Sequence, residues 1–309
     1  MSGGHGRYAG PTTQSVRQQI DEAWRRELEG LIGDVNELLR QLLLRYNDRD
    51  REKIKQRLDE LAGHIGDTAE VDRVLFGGSI AKHTDVDGLS DTDALVVLDR
   101  EAVKGETPAD LLAQFEEVLD VNLPRHDVRS VNVGRLAVTV VYLDGEEIQL
   151  LPALRSGNAV QIASEDGTRW RPTHPRRFEH RLTEANARMD GAVIPTIKLV
   201  KSMISELPPQ KQLRSHHIEA LAIDAVTAYQ GPKTPRSLVL QFLGHAATRV
   251  LSPLRDVTGQ SETIDDYLGL AGSTERQIIS QALAALGRRL ESATSVKEWR
   301  AVLGVGDNV

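Results

Sequence analysis

Ala94-Leu95-Val96-Val97-Leu98 is apolar at every position. A run this short and this uniformly apolar reads as a strand covered on both faces rather than as a helix. The rest of the chain must therefore build a sheet around it. Arg135 to Leu143 alternates as a second strand, Asp144-Gly145 is a strong two-residue hairpin signal, and Glu146 to Leu151 returns as the partner strand, with Pro152 expected to end it. Upstream, residues from Gln14 to Gly63 read as helix. Ile20, Trp24, Leu28, Leu31, Val35, Leu38, Leu39 and Leu42 keep a helical period that predicts packing along the body, and a second short helical pattern runs from Asp50 to Leu61. Val71 to Phe76 then leads into Gly77-Gly78. From Arg181 to the end the pattern is helical, punctuated at Pro208-Pro209, Pro232 to Pro235 and Pro253 to Gly259.

The fold class predicted from this order is α+β. A tail (1–13) precedes a sheet lobe with its N-terminal helix (14–180), and an all-helical lobe (181–309) follows. Two lobes sharing one interface suit a 309-residue monomer. No internal repeat is visible. No stretch approaches the roughly 20 apolar residues of a membrane span, and the N-terminal tail lacks an apolar signal core, so the expected location is the cytoplasm. The chain has no cysteine, which excludes disulfides, thiolate zinc sites and cysteine nucleophiles. Its nine histidines show no HExxH-type spacing. A net charge of -7, with no long basic run interleaved with aromatics, argues against a broad nucleic-acid surface. The basic stretch Arg169 to Arg181 reads as a solvated loop and helix start.

Chemistry is expected where the double glycine meets the apolar strand. Asp91 and Asp93, two apart at the strand's mouth, leave one face about 7 Å apart. Both can reach one cluster of hard cations such as Mg²⁺, which take carboxylate oxygen and keep water and phosphate as further ligands. Gly78 lets the backbone approach a triphosphate, and the Ser79 hydroxyl with neighbouring amides can donate to phosphate oxygens. Two other phosphate or cation motifs fail. Counting an EF-hand loop from Asp85 puts Leu89 and Val96 at ligand places, and there is no GxxxxGK[ST].

Gly78-Ser79 followed by Asp91-x-Asp93 at the head of an apolar strand resembles the polymerase beta-like nucleotidyltransferase superfamily. Within it the match is closest to the bacterial cGAS-like nucleotidyltransferases, the CD-NTases of CBASS antiphage defence. The resemblance implies a polymerase beta-like sheet lobe beside a helical lobe. It places Lys82 and Thr84 with Gly78 and Ser79 at the nucleotide, and Asp91 and Asp93 on metal. The strand EIQLLPA is similar to the family's third-carboxylate strand, but Gln149 occupies the acidic place, with Glu147 one pleat repeat back. Lys201 is implied near the triphosphate, Ser215 at a phosphate and His216 stacked on a base. Lys198 and His217 offer rival side chains, and Ser215 could equally cap its helix. SPLRDVTG resembles a family turn, with Val257 in place of a proline, and SVKEWRAVLG a common closing helix.

The implied activity is Mg²⁺- or Mn²⁺-dependent synthesis of a cyclic oligonucleotide from nucleoside triphosphates, ATP with GTP or others. Regulatory protein partners are implied and a double-stranded DNA activator is not expected. Rival readings are a nucleotidyltransferase that modifies a protein or small molecule, a degenerate nucleotide sensor marked by Gln149, and a plain helical scaffold.

Overall fold

The computed structural model describes residues 13–48, 50–67, 70–87, 89, 91–156, 159–164, 166–173, 175–256 and 261–306. Helices α1 (Thr13–Tyr46) and α2 (Arg51–Gly66) come first. They are followed by β1 (Val71–Phe76), the single-turn α3 (Gly78–Ala81), β2 (Thr92–Leu98), α4 (Pro108–Asn122), β3 (Val128–Val133), β4 (Val138–Tyr142), β5 (Glu147–Ser156), β6 (Ala159–Ala163) and β7 (Trp170–Thr173). The helical part comprises α5 (Pro175–Arg188), α6 (Val193–Ser205), α7 (Ser215–Ala225), α8 (Pro235–Arg249), α9 (Thr274–Glu291) and α10 (Val296–Val302).

The all-apolar strand is central, as its composition requires. β2 lies between β1 and β5 in the order β1-β2-β5-β4-β3, parallel to β5 and antiparallel to β1. Even-numbered residues Ala94, Val96 and Leu98 join Ile148, Leu150, Val138 and Val140 in one core. Helix α2 covers that face with Ile54, Leu58, Leu61 and Ile65, and α4 with Leu111, Phe115 and Leu119. Both helices start on caps legible in the chain: Asp50 accepts from the Lys53 amide, and Thr107 with Asp110 forms a capping box ahead of Pro108. Odd-numbered Asp93 and its β5 neighbour Gln149 stand on the opposite face.

The hairpin turns at Asp144-Gly145, where Gly145 has φ +92°, a conformation natural to glycine. Pro152 does not end β5, which runs on to Ser156. β4 pairs with β5 as far as Leu150 and β6 takes over from Ala153. The proline sits where β5 changes antiparallel neighbours, so its missing N–H removes no bond from either ladder.

The second half of α1 packs into the helical lobe rather than onto the sheet. Val35, Leu38, Leu39 and Leu42 share a core with α6, α8, α9 and α10. The expected packing along the whole helix is corrected, because Trp24 and Leu28 are 66% and 53% exposed; the stripe continues where nothing lies beneath it. The Ile20 side chain, the tail before Thr13 and Val257 to Gly259 lie outside the described residues. The expected boundary at 180/181 falls inside α5, which begins at Pro175 and packs against α6 and α7. Helix α6 is buried nearly all round, and its Lys198 and Lys201 reach back to the segment after α3. Trp299 of α10 is fully buried. Among the described residues no helix is long and apolar enough to cross a membrane.

Candidate active site

A cleft between the sheet and α7 brings together Gly78, Ser79, Lys82, Asp91, Asp93, Ser215 and His216, with Leu89 and Glu219. Its first wall is the β1–α3 turn. The Gly77 amide donates to the Asp93 carbonyl at 2.7 Å, which clamps the turn onto β2. Gly78 has φ +52°, and a Cβ there would stand 1.6 Å from Asp93 Oδ2 and 2.9 Å from Asp93 Cβ. Glycine is therefore required twice, by conformation and by space. Gly78→Ala is expected to displace the Asp93 carboxylate, adding about 1–3 kcal/mol of backbone strain and abolishing nucleotide-dependent thermal stabilisation. A variant that melts and binds ATP like the wild type would remove the cradle assignment.

Asp91 is exposed and Asp93 partly buried. Parallel pairing sets Gln149 directly beside Asp93, and Gln149 Nε2 donates to Asp91 Oδ2 at 2.9 Å. Burial first, then the charge of Asp91, pushes the Asp93 carboxyl up from the ordinary range, with Lys82 and Lys201 acting against this. Two neighbouring carboxylates facing an open cleft, that of Asp93 raised by burial and by its neighbour's charge, fit a hard divalent cation that draws its other ligands from water and phosphate. Among the described residues no group of three His, Cys, Asp or Glu side chains is placed to hold a metal. The third polar side chain beside the pair is the Gln149 amide.

Glu219 organises the opposite wall, and sequence reasoning missed it as a functional residue. Its side chain is fully buried, yet it receives Lys82, Lys201 Nζ at 2.8 Å and the Thr84 hydroxyl at 2.5 Å, with His216 Nδ1 3.9 Å away. Burial would push its carboxyl up, but the His216 imidazole and the two lysines outweigh that and hold it well below the usual carboxylate range. Nothing local marks it: α7 carries Ser215, His216, His217 and Asp224 as well, and only the fold shows that Glu219 is the acid on its buried side.

This network sorts the rival residues. Lys201 is buried and bonded to Glu219, so it is no solvated helix lysine; Lys198 instead bonds Asn47 at 2.7 Å and lies 3.8 Å from Asp85. Thr84 is fully buried beneath the wall, where it holds Glu219 and Lys201 rather than facing the cleft. Ser215 does not cap α7. Arg214 occupies the cap position, and Ser215 is the exposed first residue of the helix, at the positive end of its dipole. His216 keeps 40% of its side chain exposed and packs on Phe178 at 4.6 Å between ring centroids. That contact is the link from the basic stretch to the cleft, whose arginines 169, 171, 176, 177 and 181 are exposed.

His217 is buried one residue on, with Nδ1 3.0 Å from Tyr267 Oη and Nε2 3.6 Å from Asp265, which itself binds Arg276 at 2.7 Å. Desolvation dominates and lowers the imidazole to about 4, against the opposing charge of Asp265. Below pH about 6.5 the unfolded chain takes up a proton that the folded imidazole refuses. Its contribution to stability should therefore fall as pH drops from about 6.5 to about 4 and level off below. Urea midpoints across that window should decline less in His217→Gln than in the wild type; parallel profiles would show that His217 is not the group responsible.

Comparison with known proteins agrees with this architecture. Residues 34–186 match the Second Messenger Oligonucleotide or Dinucleotide Synthetase domain, SMODS. No curated protein matches the chain by sequence. The solved structure of the Bradyrhizobium diazoefficiens CD-NTase CdnG in complex with GTP superposes with a TM-score of 0.67 at 14% identity, over 87% of this chain and 95% of that one. E. coli MS115-1 CdnC with ATP gives 0.63 at 16% identity, over 82% and 90%. The Vibrio cholerae DncV cyclic AMP-GMP synthase, solved with a linear intermediate, gives 0.61 at 14% identity, over 96% and 92%. The α+β fold and the resemblance read from Gly78-Ser79 and Asp91-x-Asp93 are borne out.

Proposed function

From the premise that this chain carries a SMODS domain over residues 34–186 within the fold of the cGAS-like CD-NTases, we propose that it joins nucleoside triphosphates into a cyclic oligonucleotide second messenger. The observation that carries the reading is the single cleft in which a glycine cradle, two carboxylates and a helix N-terminus converge. In the reaction, a ribose hydroxyl of one nucleotide forms a bond to the α phosphorus of another, the bond to pyrophosphate breaks, and the hydroxyl proton is lost. Asp91 and Asp93 would hold divalent cations, Mg²⁺ or Mn²⁺, which when bound supply charge stabilisation at the attacking and leaving oxygens.

The chain's own groups do the rest. Gly78 and Ser79 line the cradle for the triphosphate, and Ser215 meets it from the start of α7. Lys82, and Lys201 behind it, supply positive charge to the same wall. His216, backed by Phe178, offers a flat face to a base. A role in antiphage defence rests on the resemblance to the CD-NTases alone.

One observation favours a second reading, nucleotide binding with little turnover. Gln149 brings no charge to the third acidic place and already spends its amide N–H on Asp91. Gln149→Asp would put a third carboxylate beside Asp91 and Asp93. Its melting temperature should fall below wild type in EDTA and rise above it with Mn²⁺, because like charges repel until a cation is present. Equal melting curves in both conditions would mean that position 149 does not face the same ions. The two readings separate by mass spectrometry after incubation with all four nucleoside triphosphates and either metal. Cyclic products support synthesis, and ATP stabilisation without any product supports the sensor.

A further inference from the structure

Helix α7 brings Ser215, His216 and Glu219 to the cleft, yet its own cap residue does not hold its first turn. Arg214 stands at the cap position and its side chain makes no capping bond, and Ser215 after it is exposed. The first amides of a helix have no partner within it and need one from outside. For α7 that partner comes from far along the chain: the Arg214 amide donates to Tyr267 Oη at 3.2 Å.

Tyr267 lies in the short turn Asp266–Leu268 and meets α7 in two further ways. The Arg214 guanidinium lies over the phenol ring, 4.2 Å from its centre, and the hydroxyl is 3.0 Å from His217 Nδ1. The other ring nitrogen, Nε2, faces the Asp265 carboxylate at 3.6 Å. That favours the imidazole proton on Nε2 and leaves Nδ1 to accept the proton of the hydroxyl. One hydroxyl thus accepts from Arg214 and donates to His217, and the two residues bracketed between them are Ser215 and His216. Behind Tyr267 the anchor is buried and bonded. Asp265 is held by Arg276 at 2.7 Å and accepts from the Leu254 amide at 3.0 Å, and Arg276 donates to the carbonyls of Val250 and Gly269. A buried polar network with its bonds made fixes its members in one arrangement.

We propose that Tyr267 is a positioning residue for nucleotide binding, which sets the place of Ser215 and His216 in the cleft without touching the ligand. The inference rests on the nucleotide-binding reading of the cleft given above and extends it to a side chain outside the cleft lining. Without the hydroxyl, the start of α7 keeps its contact with the ring but loses both bonds. A nucleotide must then select the molecules in which the turn is ordered, and affinity falls by that fraction.

The test is titration calorimetry of the full chain with an ATP analogue that carries a methylene between the α and β phosphorus, which binds but cannot be turned over. Tyr267→Phe should weaken binding about fivefold, the effect of one hydrogen bond between uncharged groups. In a chain that already carries Ser215→Ala and His216→Ala, the same change should cost less than about twofold, because the side chains it positions are gone. A hydroxyl that only supported the fold would lower the melting temperature alike in both backgrounds and move affinity in neither. Equal affinity in Tyr267→Phe and wild type overturns the inference. So does an equal loss in both backgrounds, which would mean that the hydroxyl does not act through those two side chains. The titration reads binding alone, so its outcome stands whether the chain is a synthase or a sensor. Failure of the analogue to bind wild type would remove the nucleotide cleft, and this inference with it.

Discussion

Asp91→Asn combined with Asp93→Asn is expected to leave a folded protein that makes no product. Asp93 lies on the sheet face away from α2 and α4, and Asp91, just before β2, is exposed, so their amides disturb no core residue. The native pair is also electrostatically unfavourable by itself, since the Asp93 carboxyl is raised by its burial and by the charge of Asp91. Removing both charges should leave the melting temperature in EDTA equal to wild type or above it. Activity responds in the opposite direction. Two neutral amides cannot hold hard cations, and losing several kcal/mol of transition-state charge stabilisation lowers the rate about a thousandfold or more. Circular dichroism with product analysis by mass spectrometry checks both halves. Turnover near wild type in this variant would remove the metal-site assignment, and an unfolded variant would show that the pair is structural.

What could be read in the chain followed how local its cause was. The central strand was legible because Ala94 to Leu98 needs cover on both faces wherever it is placed. The hairpin was legible because Asp144-Gly145 specifies its own turn. Trp24 and Leu28 misled, because a helical period records amphipathicity and not whether a partner lies beneath it. Pro152 misled because its tolerance depends on where β4 stops and β6 begins, a fact of tertiary pairing. The cradle and carboxylates could be named from Gly78-Ser79 and Asp91-x-Asp93. Glu219 could not, since its meaning lies in Lys82, 137 residues away in the chain. Read locally, it is only an acid near the start of a helix.

Glu219→Ala should accordingly have the largest effect on stability of any cleft substitution. The carboxylate is fully buried, and the side chains of Lys201 and Lys82 are only 2% and 13% exposed. Removing the acid leaves two poorly solvated ammonium groups facing each other, a situation that costs about 3–5 kcal/mol when one partner of a buried pair is deleted. In a chain of this size that corresponds to roughly 10 °C in melting temperature. Glu219→Gln, which keeps a hydrogen-bonding oxygen for Thr84 but no charge, should fall between. The same arithmetic links stability to ligand. In the free protein Glu219 neutralises the lysines, whereas in either variant a triphosphate is the anion best able to replace it. ATP should therefore raise the melting temperature by more in Glu219→Gln than in wild type, although orientation of the phosphates, and with it product formation, suffers. An alanine variant as stable as wild type would show that the lysines relax into solvent. A smaller ATP shift in the glutamine variant would show that Glu219 positions the lysines for phosphate rather than standing in for it.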